Sequence, residues 1–275
     1  QLLHWATAQL VPTMTQLGDL IAINELLGTV ESSGDGKNAN LVAQLETESL
    51  AAKAAEFKTT NNDDTIGWIR IQNTNVDSPY DNKASVENKA YNASKGNDKQ
   101  YSKDGVIWAD YECTFPELSQ NTTLYGHNWH NIYPPRTQAN MQANDLMFSL
   151  VMSYNYTDFA QENPFVYFST TEQDYVFQVF ASYYTDLNFG YNYAQMSQED
   201  FQKVIAEAKA KSLSNYNVPV TSEDKIVTLS TCTRVHGNTN NQRFVVMAKL
   251  EPVGTPSTTI STHSNPIAYN SSSDA

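Results

Sequence analysis

The chain has 275 residues, 40% of them hydrophobic, and a formal net charge of -13. That length supports one large domain with appendages, and an acidic surface repels phosphate backbones, so nucleic acid is excluded as a partner. No stretch approaches the roughly 20 uncharged apolar residues of a membrane span, so any membrane tether is expected outside these residues.

Residues 1–60 read as an N-terminal helical subdomain. Leu17, Leu20, Ile21 and Leu27 keep near-helical spacing, and Gly28 is a stop. The apolar start is broken by Pro12, Asp19 and Glu25, which fits an amphipathic helix and not an anchor or signal peptide. After the polar break "ESSGDGKNAN" a second helix is expected over about 39–57, with Leu41, Val42 and Leu45 on one stripe.

Residues 61–252 change character. Short β-rich runs bounded by Asn, Gly, Pro or Asp follow one another: "TIGWIRI", "GVIWADY" (105–111), "NTTLYGH" (121–127), "PFVYFST" (164–170), "DYVFQVFASYY" (174–184), "IVTLSTC" (226–232) and "RFVVMAKL" (243–250). The class is mainly β with α, a barrel or sandwich. Residues 72–103 read as a long polar loop. Two helices interrupt the strands. One is expected near 139–152. The other spans 197–213, where Phe201, Val204, Ile205 and Ala208 hold i, i+3, i+4, i+7 spacing behind a Ser197 cap. Residues 253–275 form a Ser/Thr-rich tail without periodicity.

Chemistry concentrates at three strand ends. In "IVTLSTCTRVHGNTNNQRFVVMAKL" an antiparallel hairpin would make Cys232 and Arg243 neighbours at one rim. A guanidinium there favours a thiolate and can hold an oxyanion or a substrate carbonyl. Arg234, two residues after Cys232, reads as a solvated loop charge. His127 ends another strand, and imidazole titrates near neutrality, as a proton carrier must. His127 with His130 also has metal-pair spacing, but Asn128, Trp129 and Asn131 are poor ligands and no third ligand stands near. Cys113 reads as a small apolar filler; a bridge to Cys232 would act as a redox off-switch.

"TLSTC", an Arg opening "RFVVMAKL" and "LYGHN" upstream together resemble the sortase family, from about Asp64 to Leu250. The opening "IGWIRIQNTNVDSP", the helical N-terminus and the inserted helix resemble its class B. The resemblance implies an eight-stranded β-barrel with N-terminal helices and an inserted helix before the nucleophile strand. It implies a cysteine transpeptidase that cleaves an Asn-Pro-X-Thr-like sorting signal through a thioacyl-enzyme. The protein is then passed to an amine of the cell wall or a pilin. Cys232 would be the nucleophile, His127 the acid and base, and Arg243 the oxyanion holder. Tyr125, Ser230 and Thr231 would line the groove, and Tyr191 would stand in its wall. No cofactor or metal is implied. The partners are the sorting signal and the amine acceptor, and the place is the outer face of a Gram-positive membrane. The alternatives are a cysteine peptidase with the same residues and a non-enzymatic surface domain. Departures from the family pattern are "DYEC", with Cys113 where Asn is expected, Thr233 in place of an acid, and the long tail. Within that tail Asn265-Pro266 loosely resembles a sorting signal, so a tail lying in its own groove would autoinhibit.

Overall fold

Ser49 caps the first helix of the computed structural model, which describes residues 49–82, 91–129, 134–251 and 260–269. The Ser49 hydroxyl accepts from the Ala52 amide at 3.2 Å and donates to Asp174, whose carboxylate also takes the Ala51 N–H at 2.7 Å. Helix α1 (Leu50–Thr60) therefore starts on the barrel itself, and it buries Leu50, Ala51 and Ala54. Leu50 and Ala54 cluster with Trp68, Tyr167 and Val176, and Phe57 meets Trp68 edge-on at 5.7 Å. The first expected helix and residues 39–48 of the second lie outside the described residues.

Ten strands follow: β1 (Thr65–Arg70), β2 (Asp77–Asp81), β3 (Ile107–Ala109), β4 (Asn121–Tyr125), β5 (Phe165–Thr170), β6 (Asp174–Asp186), β7 (Ser214–Asn215), β8 (Ile226–Cys232), β9 (Gln242–Glu251) and β10 (Ser261–Thr262). Eight close a barrel in the order β1-β2-β3-β4-β8-β9-β6-β5, and β7 and β10 make a separate pair. The β2–β3 and β4–β8 contacts are parallel, the other barrel contacts antiparallel. Ladder partners point to the same side of a sheet. Ile69, Tyr80, Leu124, Phe168, Phe177, Leu229 and Val246 share the inner side and are fully buried. Each such side chain contributes about 1.5–3 kcal/mol by leaving water.

The strand β2 corrects the loop expected over 72–103. Its sequence "DSPYD" hides it, because Pro79 cannot donate to a ladder. The proline is tolerated because β3 pairs only with Tyr80 and Asp81, leaving the flank of Pro79 unpaired. The helix expected near 139–152 is also corrected. Two 3-10 turns stand there, Gln138–Asn140 and Ser149–Asn155, separated by Met147 at φ 51. Buried Asp145 draws the backbone out of a helix by accepting from the Gln142 amide at 2.7 Å and pairing with Arg136 at 3.0 Å. Helices α2 (Thr157–Glu162) and α3 (Gln198–Lys211) are the other α-helices among the described residues, and α3 is the expected inserted helix with Ser197 as its cap.

The described part of the tail is docked. Thr262 pairs with Ser214, His263 N–H reaches the Leu213 carbonyl at 3.0 Å, and Ile267 N–H reaches Ala210 at 2.8 Å. Asn265-Pro266 thus lies on the C-terminal end of α3. The run ends beside the loop that joins β8 to β9, where the Tyr269 ring lies 5.4 Å from that of His236.

One buried acid makes stability depend on pH. Asp81 is 2% exposed and accepts from Asn62 and Thr65. Burial outweighs those bonds and pushes its carboxyl from 3.8 up to about 6. A raised acid holds its proton better folded than unfolded, so its contribution is complete below about pH 4 and is lost as pH rises through 6. The shift corresponds to roughly 3 kcal/mol. Urea unfolding at stepped pH is expected to show this fall, and Asp81→Asn is expected to flatten it.

Candidate active site

Three adjacent strands end at one rim. The last β4–β8 ladder pair is Tyr125 with Ser230, and Gly126 N–H still reaches the Ser230 carbonyl at 3.4 Å. Continuing that parallel register sets His127 beside Cys232, at the roughly 4.8 Å spacing of neighbouring strands. On the other flank Cys232 is the direct ladder partner of Arg243. Tyr125, Ser230 and Val245 share the outer side of the barrel, two residues farther along so do Cys232 and Arg243, and His127 stands two residues past the end of β4. All three are half-buried among buried neighbours. The hairpin thus sets Arg243 opposite Cys232, whereas Arg234 is exposed and bonded to Asn240.

Each group is held from outside its own strand. The Nε2–H of His127 donates to the Ala93 carbonyl at 2.8 Å. Its ring stacks on Trp129 at 4.9 Å and 25° and touches Trp108 at 5.6 Å. Gly126 is needed just before it, because an added Cβ would come within 2.6 Å of the Phe148 ring. The Cys232 carbonyl accepts from Asn128 Nδ2 at 3.2 Å. Arg243 Nη1 donates to the carbonyls of Asn240 and Gln242 at 2.9 and 2.8 Å. Among the described residues it makes no ion pair, so its remaining N–H groups face no protein anion. Gln242, fully buried, fastens the 233–241 loop by donating to Gly237 and Thr239 and accepting from His236.

The expected groove residues divide. Tyr191 and Ser230 lie on the outer side with hydroxyls 2.8 Å apart, both buried. Burial pushes the Tyr191 phenol up, while the nearby Arg243 charge pulls it down. Tyr125 donates to Asp110 at 2.7 Å and accepts from Asn192 at 2.9 Å; burial and the Asp110 charge push its phenol far up, so it stays a neutral donor. Thr231 faces the other way. Strand alternation turns it to the inner side, 2% exposed, with its hydroxyl donating to the Gly126 carbonyl at 2.8 Å. It braces the β4–β8 junction. Asn128, Gln242 and Ala93 escaped sequence reasoning. Only the "HN" pair in "LYGHN" hinted at Asn128, and a backbone carbonyl leaves no trace in composition.

Both cysteines are free thiols. Cys113 sits level with the start of β4, its sulfur 3.7 Å from the Asn121 carbonyl, and burial pushes its thiol up to about 12. Cys232 lies six positions farther along the same ladder, about 20 Å away at strand rise, which no disulfide spans. Among the described residues no group of three or more His, Cys, Asp or Glu is arranged to hold a metal, and His130 lies outside them. Among the same residues no helix is long and apolar enough to cross a membrane.

A thiol, an imidazole and a guanidinium that makes no ion pair among the described residues form, on one barrel rim, a set able to perform acyl transfer. The sortase-domain family model matches residues 69–251. The chain belongs to the sortase family. Sortase B of Staphylococcus aureus (strain NCTC 8325 / PS 47) is 28% identical over 192 residues, which covers 69% of this chain and 71% of that protein. Sortase B of Listeria monocytogenes serovar 1/2a (strain ATCC BAA-679 / EGD-e) is 29% identical over 190 residues, covering 69% and 70%. A solved Staphylococcus aureus sortase B–substrate complex superposes with a TM-score of 0.63 at 25% identity, covering 78% of this chain and 91% of that one. The expected class B barrel is therefore the observed one, and this sortase is a cysteine transpeptidase.

Proposed function

We propose that this sortase cleaves an Asn-Pro-X-Thr-like signal near a protein's C-terminus and joins the new end to an amine. Cys232 is the nucleophile, His127 the proton carrier and Arg243 the oxyanion holder. The single observation that supports these roles best is the Cys232–Arg243 ladder pair, with His127 two residues past the end of the strand that runs parallel to β8.

The Cys232 thiolate adds to the carbonyl after Thr, and the negative oxygen is met by Arg243. The carbon–nitrogen bond breaks as the leaving amine takes a proton from His127. A thioester remains. An incoming amine gives its proton to the same imidazole and attacks, and the carbon–sulfur bond breaks to restore the thiolate. One amide replaces another, with no oxidant or cofactor. The acceptor is a cell-wall amine or a pilin lysine, and the setting is the outer face of a Gram-positive cell. Residues 49–60 serve as a helical base for the catalytic barrel. Around the opening, Trp129, Leu187 and Tyr193 are half or more exposed and offer apolar surface for the signal's side chains.

The peptidase alternative differs only in what resolves the thioester. Peptides ending in Asn-Pro-X-Thr-Asn or -Gly, incubated with lysine and oligoglycine amines, separate the two. Ligated product exceeding free acid is the expected result. Free acid alone at millimolar amine would mean a peptidase.

A further inference from the structure

We infer that the Ala93 carbonyl is the positioning group for His127, and that Gly105 is glycine so that this carbonyl can stand there. The inference rests on the reading of His127 as proton carrier. Ala93 lies in the β2–β3 connection, 34 positions before His127. That connection is tied to itself: Ser94 N–H to Tyr91, Ser102 N–H to Ser94 and Val106 N–H to Asn92, each at 3.0 Å. It delivers one carbonyl to the imidazole at 2.8 Å. A carbonyl only accepts, so Nε2 carries a hydrogen in both charge states of the ring. Nδ1 has no partner among the described residues and is the nitrogen left to exchange protons with the thiol and the amines. Trp108 and Trp129 against the ring oppose the turn that would swap the two nitrogens.

Gly105 is the lever on this arrangement. It holds φ +61, and an added Cβ would come within 2.7 Å of the Asn92 carbonyl oxygen and 2.9 Å of the Ala93 carbonyl carbon and oxygen. A methyl there pushes the same peptide unit that holds the imidazole. Gly96, in the same connection, would meet only the tip of the Asp98 side chain at 3.2 Å and the Ser102 Cβ at 3.6 Å.

Nitrogen-15 NMR of imidazole-labelled protein reads the assignment directly. Neutral His127 is expected to carry its hydrogen on Nε2, and a hydrogen on Nδ1 overturns the inference. Gly105→Ala is expected to lower kcat by about 10- to 100-fold with KM within about twofold, and to mix the tautomers. Gly96→Ala is expected to leave both unchanged. A folded Gly105→Ala protein with wild-type kcat, or one that loses activity while its tautomer stays fixed, also overturns it. Where Gly105→Ala does not fold, the wild-type spectrum still decides. A wild-type protein inactive on every sorting peptide but carrying the Nε2 hydrogen would sink the proposed function and leave this geometry standing.

Discussion

Replacing His127 by Ala is expected to lower kcat/KM for peptide ligation by about 10³-fold or more. The reason lies in the tetrahedral intermediate. It can expel either the Cys232 sulfur or the amine nitrogen. A thiolate leaves readily, whereas an amine leaves only once protonated. Without an acid at the rim the intermediate collapses back to substrate. The second half of the cycle loses its base in the same stroke. The His127 ring makes one hydrogen bond, to the Ala93 carbonyl, and packs on two tryptophans. Removal should therefore leave the barrel folded, which an unchanged thermal midpoint would verify. Chromatographic assay of ligated product measures the effect. A loss under about tenfold would remove His127 from the chemistry.

The second large effect is expected at Arg243. Losing one preorganised oxyanion donor costs about 10²–10³ in kcat in comparable sites. Arg243→Ala should fall in that range. Arg243→Lys should recover little, because one ammonium cannot both cap the carbonyls of Asn240 and Gln242 and reach the substrate oxygen. The geometry also predicts where the loss appears. Alkylation of Cys232 by a small neutral thiol reagent needs no oxyanion, so it should persist in both variants while ligation collapses. Lysine restoring more than half of the wild-type kcat would reduce Arg243 to a surface charge.

Much of the barrel was legible because its strands are short, β-branched and punctuated. "IVTLSTC" became β8 with the expected bounds, and "RFVVMAKL" lies within β9. The rim was legible for a related reason: once a hairpin joins these two runs, pairing of Cys232 with Arg243 follows from antiparallel geometry. Illegible parts share another physics. Pro79 argues against a strand by propensity, and only its unpaired flank permits β2. Asp145 pairs with Arg136, and Met147 turns left-handed; together these break a helix whose periodicity looked sound. Thr231 stands beside the nucleophile in sequence, yet alternation sends it to the opposite side. Ala93 and Asn128 act on main-chain or ring atoms 34 and 104 positions away, contacts that no local pattern encodes.

A most direct measurement weighs the protein after mixing with an Asn-Pro-X-Thr-containing peptide in the absence of amine. Intact-mass and fragment spectra should show the peptide's N-terminal portion held as a thioester on Cys232, released on adding an amine and missing from Cys232→Ala. Peptide cleavage with no adduct at position 232, or an adduct surviving in Cys232→Ala, would contradict a rim where sulfur, imidazole and guanidinium act on one bond.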